Sequence, residues 1–258
     1  MSRSKLLAAA LGLAWTFAAV AAGVAMAAAG TPRVVAVSPS GRAVPENLLR
    51  ISIRFDAAPE GQVLRRLSLA TRDGRPLHEP FLDQQLWSPD GRVLTVLLHP
   101  GRVKTGLIAH EQLGAILVEG ETVQLMLDGQ PLRRWVVGPR DEQGPRPDGW
   151  RLSPVRAGHR DPLVVRLDGP IDAQAAGYVA VVDARHRRVA GRPELLEGER
   201  VCRVTPAKAW SAGPYQLVAR GTLDPAGNRL NSRFERDADQ RPEPAGDVAI
   251  PFEVTPRR

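Results

Sequence analysis

The sequence is poor in the residues that most often carry cross-links, metals and cofactors. Its 258 residues include a single cysteine, Cys202, so no disulfide bond can form within the chain. The histidines are scattered, and none has a second histidine three or four residues away: His78, His99, His110, His159 and His186. Because structural zinc sites combine closely spaced cysteine and histidine ligands, the sequence predicts no metal site and no cofactor.

Motifs for nucleophilic or acid–base catalysis are also missing. No G-x-S-x-G elbow occurs anywhere in the chain. Cys202 lies in the alternating stretch 201–204, which favours a buried and inert thiol. The glutamates Glu194, Glu197 and Glu199 are close in sequence, but we interpret them as a solvated hairpin turn rather than an acid–base pair. The sequence therefore predicts a protein that is not an enzyme.

Lysine is scarce although the chain is basic. The formal net charge is +7, and only three of the 35 basic residues are lysine, which leaves 35 − 3 = 32 arginines. A basic surface can meet nucleic acid, anionic lipid or acidic polymers. No arginine run exceeds a pair and acidic residues are interspersed, which is typical of an ordinary solvated surface. We predict no specific nucleic-acid partner.

The N-terminal 29 residues have the features of an export signal. Arg3 and Lys5 give a positive end, Leu6–Gly23 is a weakly apolar run, and Ala25-Met26-Ala27 offers a small-x-small cleavage pattern. These features predict a cleaved signal peptide and a soluble periplasmic or extracellular protein. The alternative is an uncleaved anchor, because Leu6–Ala29 is just long enough to span a bilayer; membrane contact would then be confined to this segment.

The rest of the chain alternates between apolar and polar residues with the period of β-strands. Leu49–Phe55 places Leu49, Ile51, Ile53 and Phe55 on one face and Arg50, Ser52 and Arg54 on a face that we expect to meet solvent. Tyr215–Ala219 repeats this pattern, and turn sequences follow at intervals of roughly ten residues. This pattern of alternating strands and turns predicts an all-β fold.

The alternation occurs twice, in two related halves. Arg54-Phe55-Asp56 corresponds to Arg166-Leu167-Asp168, each triplet ending the second strand of its half. We predict two tandem antiparallel β-sandwiches, one over residues 30–138 and one over residues 150–258. Residues 139–149, rich in glycine, proline and charge, are interpreted as a linker. Trp135 and Trp150 flank this linker and are expected to pack at the joint between the sandwiches.

The stretch Tyr215–Leu230 closes on a polar turn that could be mistaken for a calcium loop. Asp224 and Asn228 supply oxygen atoms around the turn, but calcium requires six to eight oxygen ligands. We instead expect Asp224 to accept hydrogen bonds from nearby backbone amides and Gly227 to adopt a left-handed conformation.

The second half resembles a bacterial Ig-like domain of the type found in S-layer and other surface proteins. The resemblance is carried by PLVVRLDGPID, VCRVTPAKAW and LDPAGNRL. The first half is similar in IRFDAAP and LWSPDGRVLTVLLHPGRVKTGL, although its closing turn lacks the Asp-x-x-Gly-Asn form. The resemblance covers roughly residues 34–137 and 150–254. It implies tandem Ig-like domains that serve as a spacer, display or binding module, and it brings no catalytic residues.

One segment of the first half has no equally long counterpart. Pro100–Gly120 is replaced in the second half by the shorter Pro206–Gly213. Elaborated loops on a rigid sandwich are common binding sites, so we predict that four polar residues of this insert contact a partner: Arg102, Lys104, His110 and Glu111. The alternative is a purely structural crossover with a helical turn near residues 110–117, whose leucines close one end of the core.

These observations lead to one functional expectation and one alternative. We expect an exported, non-catalytic Ig-like protein that binds, displays or spaces another component at the cell envelope. Its partner would be a second envelope protein or a surface polymer. The alternative is a polysaccharide-binding accessory protein, or a hydrolase, with its site at the joint between the sandwiches.

Overall fold

The computed structural model of the protein describes residues 31–232, 234 and 247–256. The predicted signal peptide, residues 1–29, lies outside these residues. Across the described part of the chain, no helix combines the length and the apolar character needed to cross a membrane.

The first sandwich contains eight strands and two short helices. In chain order these are β1 (Val34–Ser38), β2 (Ala43–Pro45), β3 (Arg50–Phe55), β4 (Leu67–Thr71), β5 (Leu86–Trp87), β6 (Val93–Leu97), α1 (Pro100–Val103), α2 (Ile108–Leu113), β7 (Thr122–Leu127) and β8 (Gln130–Gly138). A 3-10 helix, Val63–Arg66, precedes β4.

The second sandwich repeats the series of eight strands. They are β9 (Arg151–Leu152), β10 (Val155–Arg156), β11 (Leu163–Arg166), β12 (Val179–Asp183), β13 (Gly191–Leu196), β14 (Val201–Pro206), β15 (Gly213–Ala219) and β16 (Val248–Thr255). Two 3-10 helices, Pro147–Gly149 and Ala173–Tyr178, precede β9 and β12.

Both sandwiches have the same strand order, which is that of an Ig-like domain. In the first, a sheet of order β1-β3-β6-β5 accompanies a sheet of order β2-β8-β7-β4. In the second, the equivalent orders are β9-β11-β14-β13 and β10-β16-β15-β12. The first sheet of each pair corresponds to strands A, B, E and D of the Ig fold, and the second to strands G, F and C with a short parallel strand at the edge. The predicted all-β tandem fold is confirmed.

Alternation along the strands supplies the two cores. Ile51, Ile53 and Phe55 of β3 are buried in the first core, and Leu217 and Ala219 of β15 are buried in the second. Trp135 and Trp150 do not meet at the joint as predicted, because each is buried in the core of its own sandwich.

The opposite face of β3 departs from the expected pattern. Ser52 is buried rather than solvated, and its hydroxyl lies 2.8 Å from that of Thr95 on the neighbouring strand β6. The reason is that the second sandwich covers this face, since Gln174 donates a hydrogen bond to the Thr95 hydroxyl at 2.5 Å. Only Arg54 remains exposed among the three residues expected to face solvent.

Candidate functional site

Arg102, the first residue of the predicted contact site, is part of the scaffold of the insert. Its side chain is buried, with 6% of the residue exposed. The guanidinium donates from Nε to the carbonyl oxygen of Gly114 at 3.0 Å and from Nη1 to that of His78 at 2.5 Å. Burial lowers the pKa of Arg102 from its usual value, because the charge is partly desolvated. Arg102 therefore joins the insert to the loop before β5, whatever the insert binds.

The other three predicted contacts lie at different depths in the insert. His110 is half-buried, and its Nδ1 lies 2.7 Å from the carbonyl oxygen of Arg102. The Lys104 ammonium lies 4.2 Å from the centre of the Phe234 ring, in a cation–π contact. Glu111 is exposed on α2. The structure thus places all four on one insert, with Arg102 buried, Lys104 and His110 partly accessible and Glu111 exposed.

The insert combines a buried half and an exposed apolar half. Ile116 and Leu117 pack into the first core, as expected for a crossover that closes one end of the sandwich. Leu107 and Ile108 at the start of α2 remain 41% and 71% exposed. An isoleucine exposed to this degree has no role in the core, so α2 is the accessible apolar feature of the insert.

At the joint between the sandwiches, Glu199 is the first of three contact groups. Its carboxylate accepts a hydrogen bond from the Ser38 hydroxyl at 2.8 Å and another from the Ser40 backbone amide at 2.8 Å. The residue is buried, and its φ of 61° places it in the left-handed region, which costs a non-glycine residue about 1 kcal/mol. Glu194 and Glu197 are solvent-exposed beside arginines, as predicted, but Glu194 lies on strand β13 rather than in the turn. Glu199 lies in the turn but is buried, so the prediction that it is solvated is wrong.

The second group is an ion pair beneath the outer face of β3. Arg50 Nε lies 3.0 Å from Asp172 Oδ2, and both side chains are largely buried. Asp172 also begins the 3-10 helix 173–178, since its other oxygen accepts the backbone N–H of Gln174 at 3.0 Å. The same carboxylate thus orients the helix turn that carries Gln174 to Thr95. Removing either partner would leave a buried charge unpaired.

The third group is the turn 224–228, which is not a surface turn. The carbonyl oxygen of Pro225 accepts the backbone N–H groups of Leu49 and Arg50, at 2.9 and 3.0 Å. Gly227 has a φ of 89°, and a Cβ there would lie 2.6 Å from Leu49 Cδ2. The turn of the second sandwich therefore lies against Leu49 and the first residue of β3. The positive φ of Gly227 favours glycine there, and a Cβ would also force the Leu49 side chain to shift.

Asp224 stabilises this turn from within, as the sequence predicts. Its Oδ1 accepts the backbone N–H of Asn228 at 2.9 Å, and its Oδ2 accepts the Asn228 side-chain amide at 2.8 Å. Only 2% of Asp224 is exposed. Desolvation raises the pKa of Asp224 to about 7; the hydrogen bonds from Asn228 oppose this shift, and the charge of Asp141 adds to it.

The predicted linker, residues 139–149, forms hydrogen bonds with both sandwiches. Asn47 and Asp141 exchange two hydrogen bonds of 2.8 Å, and the Asp141 carbonyl oxygen also accepts the Asn228 amide at 3.0 Å. Further along, the Arg146 backbone N–H donates to Asp168 at 2.9 Å. These contacts fix the connection at its two ends, so its glycine and proline content does not make it a free tether.

Among the described residues of the joint, the crevice that contains carboxylates has no space for a substrate. The crevice beside Asp172 and Glu199 is also lined by Ser38, Arg50 and Pro225, and it contains no volume that a water-sized molecule could enter. Both carboxylates already accept hydrogen bonds from protein donors. The polar groups of the joint therefore act as contacts between the sandwiches. Their partners are far apart in sequence, which is why sequence patterns alone did not identify Asp172 and Glu199 as joint residues.

A larger groove lies on the second sandwich, away from the joint. It has a volume of about 500 Å³, beside the paired strands β15 and β16. Tyr215 and Phe252 contribute to its lining and stack on each other with ring centres 5.7 Å apart. Polar residues at its rim include Asp183, His186 and Glu253. Among the described residues, no group of three or more histidine, cysteine, aspartate or glutamate side chains is arranged to hold a metal ion.

Cys202 is expected to be unreactive in the folded protein. It is buried in the second core, and burial raises its thiol pKa to about 11, so little thiolate forms near neutral pH. A thiol-reactive chromogenic disulfide at pH 8 should label the native chain slowly and label the chain in guanidinium chloride rapidly, at one thiol per molecule. Equal rates in the two conditions would show that the thiol is accessible.

Comparisons with known proteins give distant likenesses to solved structures. No family model matches the sequence, and no curated protein matches it. Titin domains Z1Z2 in complex with telethonin align over 81% of this chain and 88% of theirs, at 12% identity and a TM-score of 0.25. Domains 4–9 of the surface layer protein SbsC align over 88% of this chain and 32% of theirs, at 10% identity and a TM-score of 0.24.

L,D-transpeptidase 3 from Mycobacterium tuberculosis aligns over 76% of this chain and 79% of its own, at 11% identity and a TM-score of 0.27. At these scores the likenesses carry no information about function. The Ig-like architecture of the chain follows from its own strand order and register.

Proposed function

We propose that this protein is an exported, non-catalytic Ig-like module that binds, displays or spaces another component at the cell envelope. The observation that carries the proposal is that the carboxylates at the joint between the sandwiches are already bonded to protein groups. The groups there that could perform acid–base chemistry, Asp172 and Glu199, are engaged by Arg50, Ser38 and Ser40. Buried polar contacts of this kind favour a defined arrangement of two domains, which suits a spacer or display element.

The insert is the part of the first sandwich that we propose contacts the partner. Ile108 supplies an exposed apolar side chain, and Glu111 lies three residues later on the same helix. Lys104 adds a partly accessible positive charge. A small apolar centre with charges at its rim is the usual composition of a protein–protein contact. Arg102 and His110 would support the insert from within.

A polysaccharide-binding accessory function is the second candidate, favoured by the groove on the second sandwich. Aromatic rings can stack on sugar rings, and carboxylates can accept hydrogen bonds from sugar hydroxyls. The groove brings Tyr215 and Phe252 together with Asp183 and Glu253. A hydrolase site at the joint is not favoured, because the crevice there has no space for a substrate.

The proposal is tested by cell fractionation and photo-crosslinking of the tagged full-length chain. We expect export to the periplasm or medium, with N-terminal sequencing showing loss of the first 29 or so residues. A photo-crosslinking amino acid at Ile108 or Glu111 should form a covalent adduct with an envelope component, and one at the exposed Glu60 should not. Cytoplasmic retention would contradict the proposal, as would adducts of equal yield at Glu60.

A further inference from the structure

Strand β8 is longer than the strand that pairs with its outer edge. The short parallel strand β2 pairs only with the last three residues of β8, Val136–Gly138. On this edge the Val136 N–H donates to the Arg42 carbonyl at 3.0 Å, whereas the Val137 N–H points to the other side, to Glu121. By the two-residue repeat of a strand, the backbone groups of Arg134 face the same edge as those of Val136. Within the described residues, no backbone group pairs with Arg134 on that side.

The second sandwich has the same arrangement but blocks the equivalent edge. Val137 pairs with Val44 of β2, and Val254 of β16 pairs with Val155 of β10, which aligns the two edges residue by residue. In this alignment Arg134 corresponds to Pro251. Proline has no N–H, and natural sheets use it to prevent strands from adding to a free edge. At Arg134 the first sandwich carries no such block, since the proline of β8, Pro131, lies three residues earlier.

A groove lies along the open edge. It has a volume of about 490 Å³ and is lined by Arg42 and residues 132–136 of β8. Val136 is 51% exposed beside it. The groove therefore offers an unpaired backbone position with an apolar side chain next to it.

The charge of the groove is strongly positive. Arg42, Arg133 and Arg134 all line it, and within the described residues none of the three forms an ion pair with a carboxylate. Arg133 donates to the carbonyl oxygens of Ser40 and Gly41, and Arg134 to the side-chain oxygen of Gln124, all neutral acceptors. Three uncompensated cations beside an open strand favour an occupant with negative charge.

We propose that an extended acidic segment of a partner protein adds as a strand to the free edge of β8 at Arg134. Main-chain hydrogen bonds to the N–H and C=O of Arg134 would give affinity, and acidic side chains facing Arg42 and Arg134 would give specificity. This inference rests on the proposed binding function and names a partner class for it. An acidic polymer without backbone amides could also meet the arginines, but it would not need the Arg134 N–H.

The probe for this test is an acetylated and amidated peptide of three Val-Glu repeats, titrated into the isotope-labelled protein and followed by NMR. We expect chemical-shift changes at residues 132–136 and slower hydrogen exchange at the Arg134 amide, which would enter a hydrogen bond. The same peptide with lysine in place of glutamate should bind at least about tenfold more weakly, because it meets three arginines.

Two substitutions at residue 134 distinguish the effect of main-chain hydrogen bonds on binding from the effect of the positive charge. Arg134→Ala keeps the N–H and should weaken binding by about threefold to tenfold, since it removes one of three partly screened charges. Arg134→Pro removes both the backbone N–H and the positive charge, and it places a proline where the second sandwich has Pro251. This substitution should weaken binding more than about thirtyfold, because strand addition depends on main-chain hydrogen bonds. Two glutamate peptides, one N-methylated at its valines and one at its glutamates, test the same hydrogen bonds with unaltered protein, because alternate N–H groups of a strand point to opposite edges. The result therefore does not depend on how the proline variant folds.

Equal affinities of the plain peptide and of both N-methylated peptides, or unchanged exchange at Arg134 in the bound state, would overturn the proposal and indicate binding by charge alone. Absence of binding at millimolar peptide would overturn it as well. The proposed function fails separately: an exported protein that crosslinks through Ile108, but does not bind the peptide, would retain its function as a module and lose only this site.

Discussion

Replacing Gly144 with alanine should destabilise the protein by about 3 kcal/mol or more, an effect typical of forced overpacking against rigid backbone. Gly144 is buried in the connection between the sandwiches. A Cβ there would overlap the carbonyl oxygen of Arg229 and lie 2.6 Å from that of Ser232. Neither obstacle is a flexible side chain, so the connection and the segment that follows the turn 224–228 would have to move apart.

The matched control is Gly149→Ala in the same connection. A Cβ at Gly149 would lie 3.5 Å from Asp168 Cβ, an ordinary contact, and we expect a change within about 0.5 kcal/mol. Denaturant unfolding compares the two variants. Hydrogen exchange should also become faster at the Leu49 and Arg50 amides in the Gly144 variant, because both donate to Pro225 in the displaced turn. Equal stability of the two variants would contradict the close packing at Gly144.

The strands of both sandwiches could be predicted because their signal is local. Apolar and polar residues alternate strictly in Leu49–Phe55 and, apart from Val218, in Tyr215–Ala219. A strand with one buried face needs little more information than this period of two. The repeat between the halves also survives in the sequence, as in Arg54-Phe55-Asp56 and Arg166-Leu167-Asp168. Strand order and short parallel pairings, such as β2 with β8, follow from contacts that sequence alternation does not encode.

The joint could not be predicted because its residues resemble ordinary surface residues. Ser52 and Arg50 occupy the polar positions of an alternating strand. Arg50 is covered by its ion pair with Asp172 of the second sandwich, and Ser52 bonds Thr95, whose hydroxyl accepts a hydrogen bond from Gln174 of that sandwich. Glu199 lies among glutamates that are accessible to solvent, and its partner Ser38 precedes it by 161 residues. The turn 224–228 was correctly predicted in its internal hydrogen bonds. Its insertion against β3 depends on the fold of both sandwiches.

The same turn gives the second large expected effect, a loss of stability as the pH rises from about 4 to 7. The folded-state pKa of Asp224, about 7, lies above the usual aspartate value of 3.8 because the carboxyl group is buried. Between these values the folded protein binds more protons than the unfolded chain, so the free energy of unfolding falls with rising pH. The contribution of Asp224 to the free energy of unfolding is fully present below its unfolded-state pKa and is lost above its folded-state pKa.

The size of the effect follows from the pKa difference. A shift of one pKa unit corresponds to about 1.4 kcal/mol, so the shift from 3.8 to about 7 corresponds to roughly 4 kcal/mol. Carboxylates that are bonded to arginines affect the free energy of unfolding at lower pH. The pKa of Asp128 is lowered by its hydrogen bonds from Arg66, so its contribution is lost only as the pH falls below the usual range of an aspartate.

Urea unfolding of the wild type and Asp224→Asn at several pH values between 4 and 8 measures the contribution of Asp224 to the free energy of unfolding directly. An asparagine does not titrate, and its oxygen can still accept the Asn228 backbone N–H that Asp224 accepts at 2.9 Å. The stability of the wild type relative to the variant should therefore fall by roughly 4 kcal/mol across the range, while other titrating groups cancel. The Asp128→Asn control should show a constant difference. A constant difference for Asp224→Asn as well would mean that the buried carboxyl does not titrate here, and that the two hydrogen bonds from Asn228 outweigh its desolvation.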